Sequence, residues 1–146
     1  MEILMSVFLL AAALAQGAAA SPPDEVTPIC EIRANPERYL GKVVTVTAHY
    51  STDSSHYEYL TDKGCSKGTL DIGFSVPERD KSVDAFEQAQ RELCVRRGTP
   101  YLCVLEGTVK VRGEIAQTTG AHLQPDLTYL IINLHSVTGW DFAGGR

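Results

Sequence analysis

Apolar and polar residues alternate through KVVTVTAHY at 42–50. Val44, Val46 and Ala48 fall on one side, and Thr45, Thr47 and His49 on the other. A period of two carried by β-branched residues predicts a half-buried strand. STDSSH at 51–56 reads as a polar turn. YEYLTD at 57–62 predicts a second short strand, closed by KGCSKG. TLDIGFSV at 69–76 predicts a third, with Leu70, Ile72, Phe74 and Val76 on one face and Pro77 ending it.

The period changes over 78–97. Val83, Phe86, Ala89, Leu93 and Cys94 recur at steps of three and four, which predicts one buried helical stripe. Asp84, Glu87, Gln88, Arg91 and Glu92 occupy the opposite face. Arg96 and Arg97 suit the negative end of the helix dipole, and Gly98 suits a left-handed stop. YLCVLEGTVKVRG at 101–113 predicts a long fourth strand, with a bulge or bend at Gly107. EIAQTTGAHLQPD reads as a long loop. LTYLIINLHSV predicts a fifth strand, apolar enough to be buried on much of both faces, and TGWDFAGGR trails out behind it.

Before the first strand, Thr27 is placed to cap a helix, and Pro28 fits its first turn. Pro36 restricts Asn35 and ends or restarts that helix. Gly41 permits a left-handed exit. The order is helix, three strands, helix, two strands. This predicts a mainly β fold, a five-stranded OB-like barrel of order α-β-β-β-α-β-β. Gly107 fits a barrel because strands that turn corners need bends, and the Phe86 stripe would plug one end. An open α+β sheet with both helices on one face is the competing arrangement.

The start of the chain reads as a leader. ILMSVFLLAAALA is short and Ala-rich for a membrane span, and small residues follow it. Residues 1–20 are therefore expected to be a signal peptide. Cleavage falls after Ala20, or after Ala15 as second choice. Glu2 and the lack of a basic residue before the apolar run depart from the usual pattern. Residues 21–27 read as a flexible lead-in, 28–140 as the OB-like domain and 141–146 as a frayed tail. The expected location is exported, periplasmic or extracellular, with no stable membrane span after cleavage.

The net charge is -5. An acidic, exported domain lacks the basic footprint of a nucleic-acid binder. Lys63, Lys67, Lys110 and Arg112 form a minor basic grouping that reads as a solvated face. The four cysteines, Cys30, Cys65, Cys94 and Cys103, are even in number. In an oxidising compartment that reads as two disulfides. Four cysteines allow three pairings, which sequence alone does not separate. Cys30–Cys65 with Cys94–Cys103 is the expected set, the second bridging a helix end to the following strand. No CxxC motif and no His pair at i, i+2 or i, i+4 is present, so neither a metal nor a cofactor is expected.

The stretch C-E-I-x-x-N-P-E-R-Y-x-G-K-V-V-T-V at 30–46, with LEGTV at 105–109 and GAHLQPDLTYLIINLHSV at 120–137, resembles small exported bacterial proteins with OB-like folds. The likeness covers most of 28–138. It implies a fold and an envelope location, and it carries no catalytic residue.

OB folds bind ligands on the face of strands two and three and in the loops joining strands one to two and four to five. Those loops fall at 51–56 and 113–126. Around them lie His49, Tyr50, His56, Tyr57, Tyr59, Arg112 and His122, the candidate binding residues. Aromatic rings beside a polar loop suit stacking on sugars, bases or partner side chains, although Tyr57 and Tyr59 also suit ordinary cross-strand packing. No nucleophile turn such as GxSxG accompanies the histidines. The expected function is an exported, disulfide-stabilised binding or assembly module of the cell envelope. Its partner would be an envelope protein or a small polar ligand, with the oligomeric state open. The alternative is an enzyme with a site near His122 and Arg112.

Overall fold

A computed structural model of the chain describes residues 22, 25–65, 68–73, 77, 79–119 and 128–143. The expected leader, Lys67, Phe74, Val76 and His122 lie outside the described residues. Two short helices, α1 (Ile29–Ala34) and α2 (Pro36–Tyr39), precede strands β1 (Val43–Thr52), β2 (Glu58–Thr61) and β3 (Thr69–Gly73). Helix α3 (Lys81–Arg96) follows, and then β4 (Leu105–Thr119) and β5 (Thr128–Phe142). The strands close into a barrel in the order β1-β2-β3-β5-β4, with β3 and β5 parallel and the other pairs antiparallel. This is the expected OB-like fold.

The alternation in β1 is realised. Val44, Val46, Ala48 and Tyr50 enter the core, where they meet Leu60, Leu70, Val109, Val111, Ile115, Ile132 and Leu134 from the other strands. Thr45 departs from the pattern because it is buried on the outer side. Val26 forms a parallel bridge beside it, and the Thr27 backbone N–H donates to the Thr45 carbonyl at 2.7 Å. The end of the expected flexible lead-in is thus fixed against β1. This contact also explains why Thr27 does not cap: Pro28 takes the N-cap position, with no side-chain cap. Pro36 restarts the helix as α2, and Gly41 exits with φ +75°.

Helix α3 begins where the Asp80 side chain accepts the Ser82 N–H, a satisfied N-cap absent from the sequence reading. Its Phe86 seals one end of the barrel. The ring lies 5.3 Å from Tyr50, 5.7 Å from Phe142 and 5.6 Å from Trp140, centroid to centroid. Burying such a side chain contributes roughly 1.5–3 kcal/mol. Gly98 ends the helix region with φ +72°.

β4 and β5 differ from expectation in their extent and in where their irregularities fall. β4 continues through Thr119, into the expected long loop, because Gly113 and Ile115 keep alternating into the interior opposite β5. β5 continues through Phe142, so Asp141 and Phe142 are strand and not frayed tail. Phe142 is held by the burial of its ring against Tyr50 and Phe86. The irregularities also lie elsewhere than Gly107. The register steps from Lys110↔Gly139 to Val111↔Val137, and from Arg112↔Ser136 to Gly113↔Leu134. Thr138 and His135 are the extra residues on β5. Gly107 instead permits close approach, since a Cβ there would lie 2.1 Å from the Asp141 carbonyl oxygen.

The disulfides are Cys30–Cys65 and Cys94–Cys103, with Cα separations of 5.4 and 5.6 Å. The first ties α1 to the segment between β2 and β3. The second closes the connection from α3 to β4. Among the described residues no helix is long and apolar enough to cross a membrane.

Candidate functional site

The turn from β1 to β2 is built around Asp53. Its Oδ1 accepts the backbone N–H groups of Ser55 at 2.9 Å, His56 at 2.6 Å and Tyr57 at 3.3 Å. Its Oδ2 meets His56 Nδ1 at 2.7 Å. These contacts, led by the His56 N–H, hold the Asp53 carboxyl well below the usual carboxylate range. Ser54 takes φ +61°, a conformation that the short polar loop accommodates.

The turn is tied to the segment that follows α3. The Cys103 N–H donates to the Asp53 carbonyl at 3.2 Å and to Ser54 Oγ at 3.0 Å. Ser55 Oγ donates to the Tyr101 carbonyl at 2.8 Å. The Cys94–Cys103 disulfide therefore holds a connection that itself braces the turn.

Between this turn and α3 lies a cleft of about 460 Å³. His56, Tyr57 and Glu58 line it from the hairpin, and Glu87, Gln90 and Arg91 line it from the helix. The volume is within the range of small-molecule sites. At its base the Tyr50 hydroxyl donates to Glu58 Oε1 at 2.5 Å. Burial raises the Glu58 carboxyl above the usual range and the nearby Glu87 charge adds to this, while the Tyr50 hydroxyl and Gln90 amide oppose it. Burial also raises the Tyr50 hydroxyl, followed by the charge of Glu58, so Tyr50 stays a donor at neutral pH.

The Gln90 amide lies beside both groups and lowers the proton affinity of each, as a nearby N–H donor does, but no hydrogen bond of normal geometry forms at its Nε2. That atom is buried and has no partner among the described residues. Glu87 is shared by Arg79 at 3.4 Å and Arg91 at 3.9 Å, and Arg91 also donates to Gln88 Oε1 at 2.9 Å. The cleft thus offers an amide donor without a partner, a carboxyl of raised proton affinity, and charges already neutralised in pairs. Tyr57 adds an apolar ring that is 39% exposed, backed by the Tyr59 ring at 5.2 Å.

The structure brings His56 and Tyr57 together in this cleft, with Tyr59 behind. Tyr50 reaches it only through its hydroxyl, because its ring is fully buried in the core. His49 is half-buried on the outward-facing set of β1 residues, away from the cleft lining. Arg112 is half-buried on β4, paired in register with Thr45 and Ser136. Its Nη1 is buried without a hydrogen-bond partner among the described residues. Glu58, Glu87, Gln90 and Arg91 were missed as site residues. The last three sit on the polar face of a helix whose docking against the first turn is a tertiary fact. Glu58, between two tyrosines in a short strand, was the one available signal.

Cys30, Asp62 and Cys65 also cluster, but the two sulfurs are joined in a disulfide and are not free thiolates for a metal. No protein-family model, curated protein or solved structure matches the chain.

Proposed function

We propose that the chain is an exported, disulfide-stabilised binding module of the cell envelope, and that its ligand seats in the cleft between the β1–β2 turn and α3. The observation that carries this reading is the Gln90 amide, whose Nε2 is buried beside Glu58 in a braced cleft with no hydrogen-bond partner of normal geometry among the described residues. An unpartnered buried donor costs about 1–3 kcal/mol, a cost that a ligand acceptor removes. The site also lies at the loop joining the first two strands, where OB-like barrels commonly bind. Export is supported by the leader-like start and by two disulfides, which persist in oxidising compartments. The resemblance to small exported bacterial OB-like proteins points the same way.

The enzymatic reading near His122 and Arg112 draws on one observation, the buried unpartnered Nη1 of Arg112. The two readings separate in one experiment. Isotope-labelled protein is titrated with a bacterial envelope extract while its amide resonances are followed. Shifts at 53–58 and along 87–94 are expected. Shifts confined to the β4–β5 wall around Arg112, or none at all, overturn the cleft as the binding site.

A further inference from the structure

The chemistry of the cleft discriminates between ligand classes. An anion finds the cleft's positive groups already paired among the described residues: the Arg91 guanidinium meets Gln88 at 2.9 Å and Glu87 at 3.9 Å, His56 Nδ1 meets Asp53 at 2.7 Å, and two glutamates flank the space. A phosphate or nucleic-acid backbone would be repelled there. A cation finds no free carboxylate at Glu87, which Arg79 and Arg91 share. A purely apolar ligand would cover the Gln90 amide and the Glu58 carboxyl without adding a hydrogen bond to either.

What remains is a neutral ligand with adjacent donors and acceptors and one flat apolar face. Hydroxyl groups both donate and accept, so neighbouring hydroxyls can take the Gln90 N–H and give to Glu58. The Tyr57 ring, supported by Tyr59 behind it, supplies a platform for the C–H face of a ring. The disulfide-braced turn keeps Tyr57 in place before the ligand arrives, which lowers the ordering cost of binding.

We infer that the cleft takes an uncharged saccharide, stacked on Tyr57 and hydrogen-bonded by Gln90 and Glu58. This assignment rests on the cleft being the binding site and narrows it to one ligand class. A peptide would satisfy Gln90 and Glu58 through its backbone amides, but most of its residues offer Tyr57 no flat apolar face.

The test is a glycan array carrying neutral and acidic oligosaccharides, probed with the disulfide-bonded chain. The neutral glycan best retained is then titrated calorimetrically against wild type, Gln90→Leu, Tyr57→Ala and, as a variant outside the cleft, Lys110→Ala. Urea unfolding confirms that each variant folds. Retention of neutral glycans is expected, with affinity lost by about tenfold or more in Gln90→Leu and Tyr57→Ala and held within about twofold in Lys110→Ala. Retention of acidic glycans alone overturns the inference, as does unchanged affinity in both cleft variants. If no glycan is retained while envelope extract still shifts the cleft amides, the saccharide falls and the cleft stands. If neither responds, both fall.

Discussion

Tyr50 joins the barrel core to the cleft: its ring is fully buried, and its hydroxyl donates to Glu58 Oε1 across the first hairpin. A packing residue and a candidate ligand residue are thereby one unit. Tyr50→Phe keeps the ring contacts with Phe86 and Phe142 but leaves a partly buried carboxyl short of a donor. The expected cost is about 1–3 kcal/mol of stability, measured as a lower urea midpoint at neutral pH. A midpoint equal to wild type would show that the hydroxyl does not support Glu58.

The Glu58 carboxyl titrates above its ordinary value of 4.5, chiefly because it is buried. Between the unfolded and folded pKa values the folded state binds more protons, so this group makes stability fall as pH rises. Its charged form carries the whole penalty above the folded value. Glu58→Gln has no such penalty and still accepts from Tyr50. Relative to wild type, the variant is expected to gain stability as pH rises from the unfolded to the folded pKa of Glu58, and to hold that gain above it. Paired urea titrations at several pH values read this difference directly. A difference that is flat with pH, or that runs the other way, contradicts the burial of Glu58.

The two disulfides close segments of different length, 35 and 9 residues apart in sequence. Chain-entropy reasoning gives about 4 kcal/mol for the longer and about 3 kcal/mol for the shorter. The Cys30→Ala/Cys65→Ala variant is therefore expected to be the less stable in urea. Cys94→Ala/Cys103→Ala is expected to show the larger change in cleft amide exchange, because the connection it releases braces the turn at Asp53 and Ser54. Equal exchange in the two variants would remove the bracing role.

Gly107 and Gly139 lie on neighbouring strands but face different surroundings. A Cβ at 107 would press on the Asp141 carbonyl, whereas one at 139 meets no atom within 4 Å. Gly107→Ala is expected to destabilise by about 1–3 kcal/mol. Gly139→Ala is expected to stay within about 0.5 kcal/mol of wild type. Thermal unfolding of both distinguishes close strand approach from a simple strand preference for alanine over glycine.

Much of this fold is legible in the chain because local periodicity and local conformation carry it. The alternation from Val44 to Tyr50 marks β1, the stripe from Val83 to Cys94 marks α3, and Gly41 and Gly98 mark exits that need positive φ. The even cysteine count marks two disulfides, and the expected pairing is the observed one, although sequence alone leaves three pairings open. What escapes is set by contacts between distant segments. Thr27 is drawn from a cap position to the Thr45 carbonyl. β5 extends to Phe142 because the Phe86 ring receives it. The cleft is harder still to read, since Glu58 and Gln90 are separated by a strand, a loop and half a helix. Of the residues named from sequence, His56 and Tyr57 line it, while Tyr50 lies mainly in the core and His49 and Arg112 lie on the barrel wall.

The proposed module is exported, carries two disulfides and seats its ligand in the cleft between the first turn and α3. The measurement that tests it most directly is the mass of the protein recovered from the exported fraction, under native and then denaturing conditions, for wild type and Gln90→Leu. A chain without its leader and lacking four hydrogens is expected, with extra mass in the native spectrum of wild type that is lost or reduced in Gln90→Leu. A chain retained inside the cell with four free thiols, or a bound mass indifferent to Gln90, would contradict it.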